Sequence, residues 1–512
     1  MTTMNTIPIT TQTRNKYLYD RGTKKLVLCH PVMHYLLILD REGKDLPAWI
    51  SSLTEKGITI DNCGPFSKET IFYYFQKYSI LKENGYFQTG EKANREKLVF
   101  KMKAEDVRHA LANTPQVTFE VTDRCGLDCR YCGFGAFYDD YDKRQNTDLP
   151  FKTAQILLDY LVDLWNSPLN LSHHRNIYIG FYGGEPLLNF PFIRQMTDYV
   201  SQLNTRHNRF TFSMTTNGLL LDRYMDFLVE KDFNLLISLD GDEAGNGYRI
   251  HKNGKPAFPD IMKNVELLKT KHPRYFKEKV NFNAVLHNLN SVSRIYHFFK
   301  KTFDKIPGIA PLNTSGIAEN QKKAFWKTYA NIEESLYQSE DYSMIEKEMF
   351  INLPTIRALS LFIHRDNDFV FDDYNRLIYP SHSQSRFPTG TCTPFSKKVF
   401  LTVNGKILPC ERIGHAFMLG SVTEKDGVKM DFTGIAQKYS DYFSKLENRC
   451  SACRNADNCS QCIFNLENLE NKPVCSGFSN QADYSRQIAS CIDYIEDNPG
   501  VYGKILEEVI TE

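Results

Sequence analysis

The sequence predicts an α/β protein: an incomplete barrel of parallel strands, preceded by a small hairpin-and-helix unit and followed by a cysteine-rich segment. Three observations carry this reading. From residue 116 onward, apolar runs of strand length alternate with helical ones: QVTFEVT, FKTAQILLDYLVDLW, NIYIGFY, FPFIRQMTDYVSQL, RFTFSMTT, DRYMDFLVEK, FNLLISLD, DIMKNVELLKT, KVNFNAVL and SVSRIYHFFKKTF. The chain has 13 cysteines, placed very unevenly, with Cys125, Cys129 and Cys132 in one group and Cys392, Cys410, Cys450, Cys453, Cys459, Cys462, Cys475 and Cys491 crowding the last quarter. Finally, the cysteine triplet, GGEP, TTNG and SLDG each follow one of the predicted strands, the end at which parallel α/β folds assemble their sites.

Residues 1–95 form the first unit. KYLYDRGTKKLVLC reads as two strands around Arg21-Gly22, PVMHYLLILD as a helix begun by proline, and LPAWISSLTEKG and SKETIFYYFQKYSILKENG as two more helices. Residues 96–320 hold the barrel. With a sixth strand near residues 305–312, the count is too small for a closed eight-stranded barrel. Residues 321–388 are expected to bridge two domains, with one helical stretch, KKAFWKTYANIEESLYQ, and a polar, turn-rich passage. Residues 389–512 open with a hairpin, KKVFLTVNGKILPC, turned at Asn404-Gly405, and then show little apolar periodicity, as expected of a segment whose folding energy comes from metal.

Composition narrows the function. The chain has 512 residues, 42% hydrophobic, which excludes a disordered or fibrous protein. Lys+Arg 62 against Asp+Glu 61 leaves no basic field for nucleic acid or anionic membrane. Neither a membrane-spanning run nor a secretory signal stands in the sequence, so a cytoplasmic protein is expected. In a reducing compartment, clustered cysteines point to metal ligation rather than disulfides, while the lone Cys29 and Cys63 read as ordinary buried thiols.

Cys125-x3-Cys129-x2-Cys132 supplies three thiolates on one loop, enough for three corners of a four-iron cluster with the fourth iron open. A zinc site completed from elsewhere is the alternative. This loop, with Tyr131 before the last cysteine, resembles that of the radical S-adenosylmethionine (SAM) enzymes. The resemblance implies a 4Fe-4S cluster whose open iron is chelated by SAM, and a 5′-deoxyadenosyl radical that abstracts hydrogen. Gly183, Gly184 and Glu185 resemble the family's GGE motif, where glycines admit a ligand close to backbone and a carboxylate accepts from its ammonium group. By the same resemblance Thr216 and Asn217 contact the methionine end of SAM, Ser238 and Asp240 its ribose, and Val285 its adenine; Arg249, in GNGYRIH, is read as a bidentate fork for the SAM carboxylate, a solvated surface arginine being the alternative.

The last quarter resembles the SPASM domain, an auxiliary-cluster module; two zinc ribbons are the alternative. The resemblance implies two further 4Fe-4S clusters, an inner one on Cys392, Cys410 and Cys462 and an outer one on Cys450, Cys453, Cys459 and Cys475. Cys491 is then a replacement ligand or a structural thiol. The family has three residues between its counterparts of Cys459 and Cys462, where this chain has two. Residues 17–90 resemble the winged-helix domains that recognise leader peptides by adding them as a strand. Together these resemblances imply a peptide maturase, and the stretches NFNAVLHNLNS and SLDGDEAGNGYRIHKNGKPAF resemble the maturases acting on Gly-Gly-leader precursors. It would bind a ribosomally made precursor peptide by its leader, draw electrons from a flavodoxin or ferredoxin, and install a thioether or carbon-carbon cross-link. A maturase oxidising an active-site Cys or Ser, as of a sulfatase, shares the barrel, and a zinc-holding peptide-binding partner is the reading of a different class. No residue is nominated as general base.

Overall fold

In a computed structural model, the structure describes residues 6–20, 25–84, 87, 97–171, 175–205, 208–349, 354–365, 385–388, 393–456, 459 and 461–508. The chain opens with an antiparallel sheet ordered β1 (Thr6–Thr10), β2 (Lys16–Asp20), β3 (Lys25–Leu28). The Arg21-Gly22 turn lies outside the described residues. Helix α1 (Pro31–Arg41) starts on proline, and His30 Nδ1 caps it by accepting from Val32 N at 3.2 Å. Next come α2 (Leu46–Ser51), the hairpin β4 (Ile58–Ile60) and β5 (Cys63–Phe66), and α3 (Lys68–Glu83), whose N-cap Ser67 accepts from Thr70 N at 3.1 Å. The sequence reading lacked β1 and the β4–β5 hairpin. Pro8 disfavours TIPIT as a strand, yet β1 is an edge strand, where proline is tolerated. The helix expected over LPAWISSLTEKG stops after its sixth residue.

After β6 (Lys97–Leu98) and α4 (Ala104–Ala112) the alternation runs as expected. Its elements are β7 (Gln116–Thr122), α5 (Phe151–Trp165), β8 (Arg175–Gly183), α6 (Phe190–Ser201), β9 (Asn208–Thr216), α7 (Leu221–Glu230) and β10 (Asn234–Ser238). Then follow α8 (Phe258–Lys271), α9 (Pro273–Lys279), β11 (Val280–Leu286), α10 (Val292–Phe303) and β12 (Gly308–Pro311). All six strands β7 to β12 are parallel and adjacent in chain order, with Val117 opposite Ile179 and Ile179 opposite Phe212. Val117, Phe119 and Val121 of β7 and Leu157, Leu161 and Trp165 of α5 are all buried in the main core. Truncating a ring such as Phe119 would cost about 3–5 kcal/mol.

The bridging segment holds α11 (Lys322–Thr328), α12 (Ile332–Tyr337), α13 (Tyr342–Glu348) and α14 (Pro354–Arg365). The single helix expected over KKAFWKTYANIEESLYQ is therefore two. Asn331 breaks it by accepting from Glu333 N at 2.8 Å and Glu334 N at 3.1 Å, which starts a new helix. The polar passage 366–384 lies outside the described residues.

The C-terminal part departs furthest from expectation. After β13 (Ser385–Arg386), which pairs with β6, the expected hairpin forms as β14 (Val399–Leu401) and β15 (Lys406–Leu408), but it is not a separate unit. β14 pairs in parallel with β7, Val399 opposite Val117, and with β16 (Gly420–Thr423) and β17 (Gly427–Lys429) it extends the barrel sheet to ten strands. Gly405 makes the turn at φ +74°, where a Cβ would lie 2.3 Å from Val422 O. The remainder is helical: α15 (Phe432–Ala452), α16 (Gln481–Asp497) and α17 (Val501–Glu508). Apolar periodicity is thus present after all, with Ile435, Ala436, Tyr439, Tyr442, Phe443 and Leu446 buried along one face of α15. Tyrosines among polar neighbours hid the stripe.

Candidate functional site

The C-terminal ends of the parallel strands open onto a void of about 1620 Å³, its mouth included. Cys125, Cys129, Tyr131, Cys132, Gly183, Gly184, Thr216, Asn217, Ser238, Arg249 and Val285 all line it. Strand register explains the convergence: each strand runs the same way, so four loops far apart in sequence share one rim.

The cysteine loop is held from both sides. Asp123 at its start accepts from Gln145 N and Thr147 N, both at 2.7 Å, folding residues 123–147 back on themselves. Across it, Asp128 N donates to Ile250 O at 2.8 Å and Arg130 N to Tyr248 O at 3.3 Å. Donors face the sulfurs: Leu127 N lies 3.4 Å from Cys125 Sγ, Asn217 Nδ2 3.7 Å from the same atom, and Arg144 Nη2 3.5 Å from Cys132 Sγ. Burial pushes the Cys129 thiol up to about 12 and raises that of Cys125.

The glycine pair works through close approach. Gly183 stands at φ +132°, and a Cβ on Gly184 would lie 2.1 Å from Arg124 O. Gly184 N donates to Thr122 O and Glu185 N to Arg124 O, each at 2.8 Å, which pins β8's exit against the cysteine loop.

Two acidic residues do not line the void. Glu185 turns behind the rim, where it accepts from Thr216 Oγ1 at 2.8 Å, Asn217 N at 2.7 Å and Leu187 N at 3.2 Å. Burial raises its carboxyl to about 7 against those three donors. It shapes the TTNG loop rather than presenting a carboxylate to a ligand. Asp240 is likewise fully buried and receives Arg249 through Nε at 2.9 Å and Nη2 at 3.1 Å, Val285 N at 2.9 Å and the Tyr131 hydroxyl. The Arg249 charge holds Asp240 below the usual carboxylate range despite its burial. Asp240 thus takes the Nε–Nη2 edge of the guanidinium expected to meet a SAM carboxylate, while Arg249 still lines the void. This network ties Tyr131 on the cysteine loop to β10, β11 and the 241–256 loop at one point, with the Arg249 guanidinium also 5.5 Å from the centre of the Tyr131 ring.

The sequence reading missed Phe134, Tyr138, Tyr141, Arg144, Tyr182, Glu411 and Arg412, which are also among the lining residues. Tyr182 precedes the glycine pair and was within reach of motif reasoning. The others stand in loops without periodicity. Glu411, paired with Lys398 at 2.7 Å, and Arg412 come from the C-terminal part, so that part closes one side of the void.

A second, smaller void of about 420 Å³ by the same measure lies beside α15. Cys450, Cys453, Cys459 and Cys475 line it together with Arg449 and Phe478. Cys491 is elsewhere, buried on α16 in the main core, and Cys392 lies outside the described residues. Cys410 and Cys462 line neither void. Among the described residues no group of three or more His, Cys, Asp or Glu is placed to hold a metal ion.

Residues 119–299 match the Radical SAM superfamily. An uncharacterised protein of Methanocaldococcus jannaschii is 36% identical over 152 residues, 30% of this chain and 47% of its own. The serine-type anaerobic sulfatase-maturating enzyme of Bacteroides thetaiotaomicron is 27% identical over 183 residues, 35% of this chain and 41% of its own. The chain thus spans less than half the length of these curated relatives. The solved structure of native anSMEcpe with bound AdoMet and Kp18Cys peptide shares the fold, covering 77% of this chain and 100% of its own at 18% identity and a TM-score of 0.51. A family that uses a 4Fe-4S cluster and SAM fits a rim of three half-buried cysteine thiols beside a glycine-lined void. No helix among the described residues is long and apolar enough to cross a membrane.

Proposed function

We propose, on the premise that residues 119–299 are a radical SAM domain, that the protein is a peptide maturase that binds a ribosomally made precursor by its leader and cross-links its core. The observation that carries the proposal is the meeting of Cys125, Cys129 and Cys132 with Gly183–Gly184, Thr216–Asn217 and Ser238 on one void. In this reading the three cysteines would hold a 4Fe-4S cluster, and the glycine pair, Asn217, Ser238 and Val285 would hold SAM, the two groups supplying radical hydrogen-abstraction chemistry when bound. The chain's own residues do the rest. Leu127 N–H, Asn217 and Arg144 stabilise negative sulfur, the Asp240–Arg249–Tyr131 network fixes the loop, and Phe134, Tyr138, Tyr141 and Tyr182 exclude water from the reacting side. Cys450, Cys453, Cys459 and Cys475 hold an outer auxiliary cluster, and Cys410 and Cys462, with Cys392, an inner one. Reducing electrons come from a small carrier protein such as a flavodoxin or ferredoxin.

Leader binding is assigned to the N-terminal sheet. Among the described residues β3 is an edge strand with Val27 53% and Leu28 63% exposed, an open row of backbone donors and acceptors with apolar side chains beside it. His30, just past β3, stacks on Tyr74 of α3 at 4.1 Å, and Phe72 and Tyr73 on that helix are exposed. An added strand would have an aromatic wall to lie against.

The sequence likeness to a sulfatase-maturating enzyme supports a second reading, oxidation of one side chain on a folding protein. Iron, labile sulfide and 5′-deoxyadenosine release under reductant test the chemistry, and binding of the precursor leader to residues 1–95 in the full chain separates the two substrates. Absence of iron and of deoxyadenosine would overturn both readings. Unaltered leader binding on replacing Val27 and Leu28 by Asp would overturn the assignment to β3.

A further inference from the structure

The N-terminal sheet has two buried faces. Leu18 packs toward α1 and α3, whereas Ile7, Ile9 and Tyr19 point the other way into the main core, Tyr19 lying edge-on to Phe362 of α14 at 6.3 Å. At the rim of this contact, polar groups of the β1–β2 region converge on the last turns of α16. Tyr17 OH donates to Glu496 Oε1 at 2.6 Å, Asn15 Nδ2 to the same oxygen at 2.8 Å, and Thr13 Oγ1 to Oε2 at 2.5 Å. One turn back along the helix, Gln12 N donates to Asp493 Oδ1 at 2.6 Å. A carboxylate only accepts, and here both its oxygens are engaged by the other module in charge-assisted bonds, the strong class of hydrogen bond. These donors outweigh burial and hold Glu496 down at about 2.

The other end of α16 starts at the four-cysteine void. Asn480 caps it, its Oδ1 accepting from Asp483 N at 2.9 Å. Just before it, Ser479 N donates to Cys453 Sγ at 3.5 Å, and Ser479 O accepts from Arg454 N at 2.8 Å. The 17 residues of α16 span about 25 Å. One rigid helix therefore runs from the cysteines to the sheet whose free edge was assigned to the leader.

We propose that Glu496 is a positioning residue: it locks the β1–β3 sheet onto α16 and so fixes where a peptide bound at β3 stands relative to the barrel void. This rests on the leader-binding reading of that sheet. The gain is effective concentration, because a leader held on a docked sheet delivers its core to one place, whereas a leader on a swinging sheet spreads it over a volume.

The test uses the full, cluster-loaded chain with a donor dye on the N-terminal amine and an acceptor dye on an added C-terminal tag. Glu496→Ala is expected to lower energy transfer and to speed amide exchange of residues 6–20 at least tenfold, with iron content and exchange in β7–β9 unchanged. Glu496→Gln, which keeps one carbonyl acceptor, should fall between. Unchanged energy transfer in Glu496→Ala would overturn the proposal even if thermal stability fell, since a carboxylate that merely stabilises its helix moves stability and not the distance. Should Glu496→Ala lose iron, Tyr17→Phe, which removes a single donor, must still lower transfer; no shift there would also sink it. None of these readouts uses a peptide. Failure of wild type to bind any precursor would remove the maturase reading and leave the clamp standing.

Discussion

Cys125, Cys129 and Cys132 border a void of about 1620 Å³, while Cys450, Cys453, Cys459 and Cys475 border one of about 420 Å³. The three sit on a loop at the mouth of a parallel sheet, braced by a buried ion pair and faced by glycines. The four sit around helix ends with apolar side chains and one arginine between them. In the proposed reading, three cysteines beside ample space would suit a cluster that must admit a ligand at its remaining corner, and four around little space one that admits none. The difference teaches that cysteine count and free volume together, rather than cysteine spacing alone, are what would separate a reacting site from a closed one.

Breaking each site in turn gives the largest effect. Cys125→Ala/Cys129→Ala/Cys132→Ala should abolish deoxyadenosine release and remove about four irons, while alanine at all four cysteines of the smaller void should also remove about four irons yet leave SAM cleavage measurable. Loss of cleavage in the second variant would erase the distinction. Asp240→Asn strands the buried Arg249 charge and should destabilise the barrel by about 3–5 kcal/mol, read as a lower thermal midpoint, without changing iron at the four-cysteine void. Gly184→Ala forces a Cβ toward Arg124 O and should weaken SAM binding at least tenfold in equilibrium dialysis.

The smallest effect concerns pH. Glu120 on β7 is buried and accepts from Val403 N at 3.0 Å, and burial raises its carboxyl to about 7. Between an unfolded value near 4.5 and a folded value near 7 the native state holds more protons, so stability falls as pH rises through that window. Glu120→Gln should remove that loss, on the order of 1–3 kcal/mol between pH 5 and 8, in urea midpoints.

Much of this was legible in the sequence because parallel strands announce themselves twice, as β-rich apolar runs and as motifs at their ends. QVTFEVT and NFNAVL lie where their patterns placed them. Orientation was less legible. Nothing in GGEP says that Glu185 turns inward to Thr216, and nothing in GNGYRIH says that Arg249 faces Asp240, since both depend on residues 31 and 9 positions away. Least legible were contacts across the whole chain, such as Tyr17 with Glu496, where neither partner stands in a motif.

The pairing of Val399 with Val117 has a consequence for synthesis. On the ribosome, the outer edge of β7 stays without its neighbour until about 280 further residues have been made, roughly 15 to 60 s at ordinary elongation rates. Throughout that interval a buried-type strand, VTFEV, presents unpaired backbone to the cytosol, the condition under which nascent chains pair with one another. A chain ended before residue 399 would keep that edge permanently. Expression of the isolated barrel should therefore yield aggregate, and its rescue should require the β14–β15 hairpin, supplied as part of the same polypeptide.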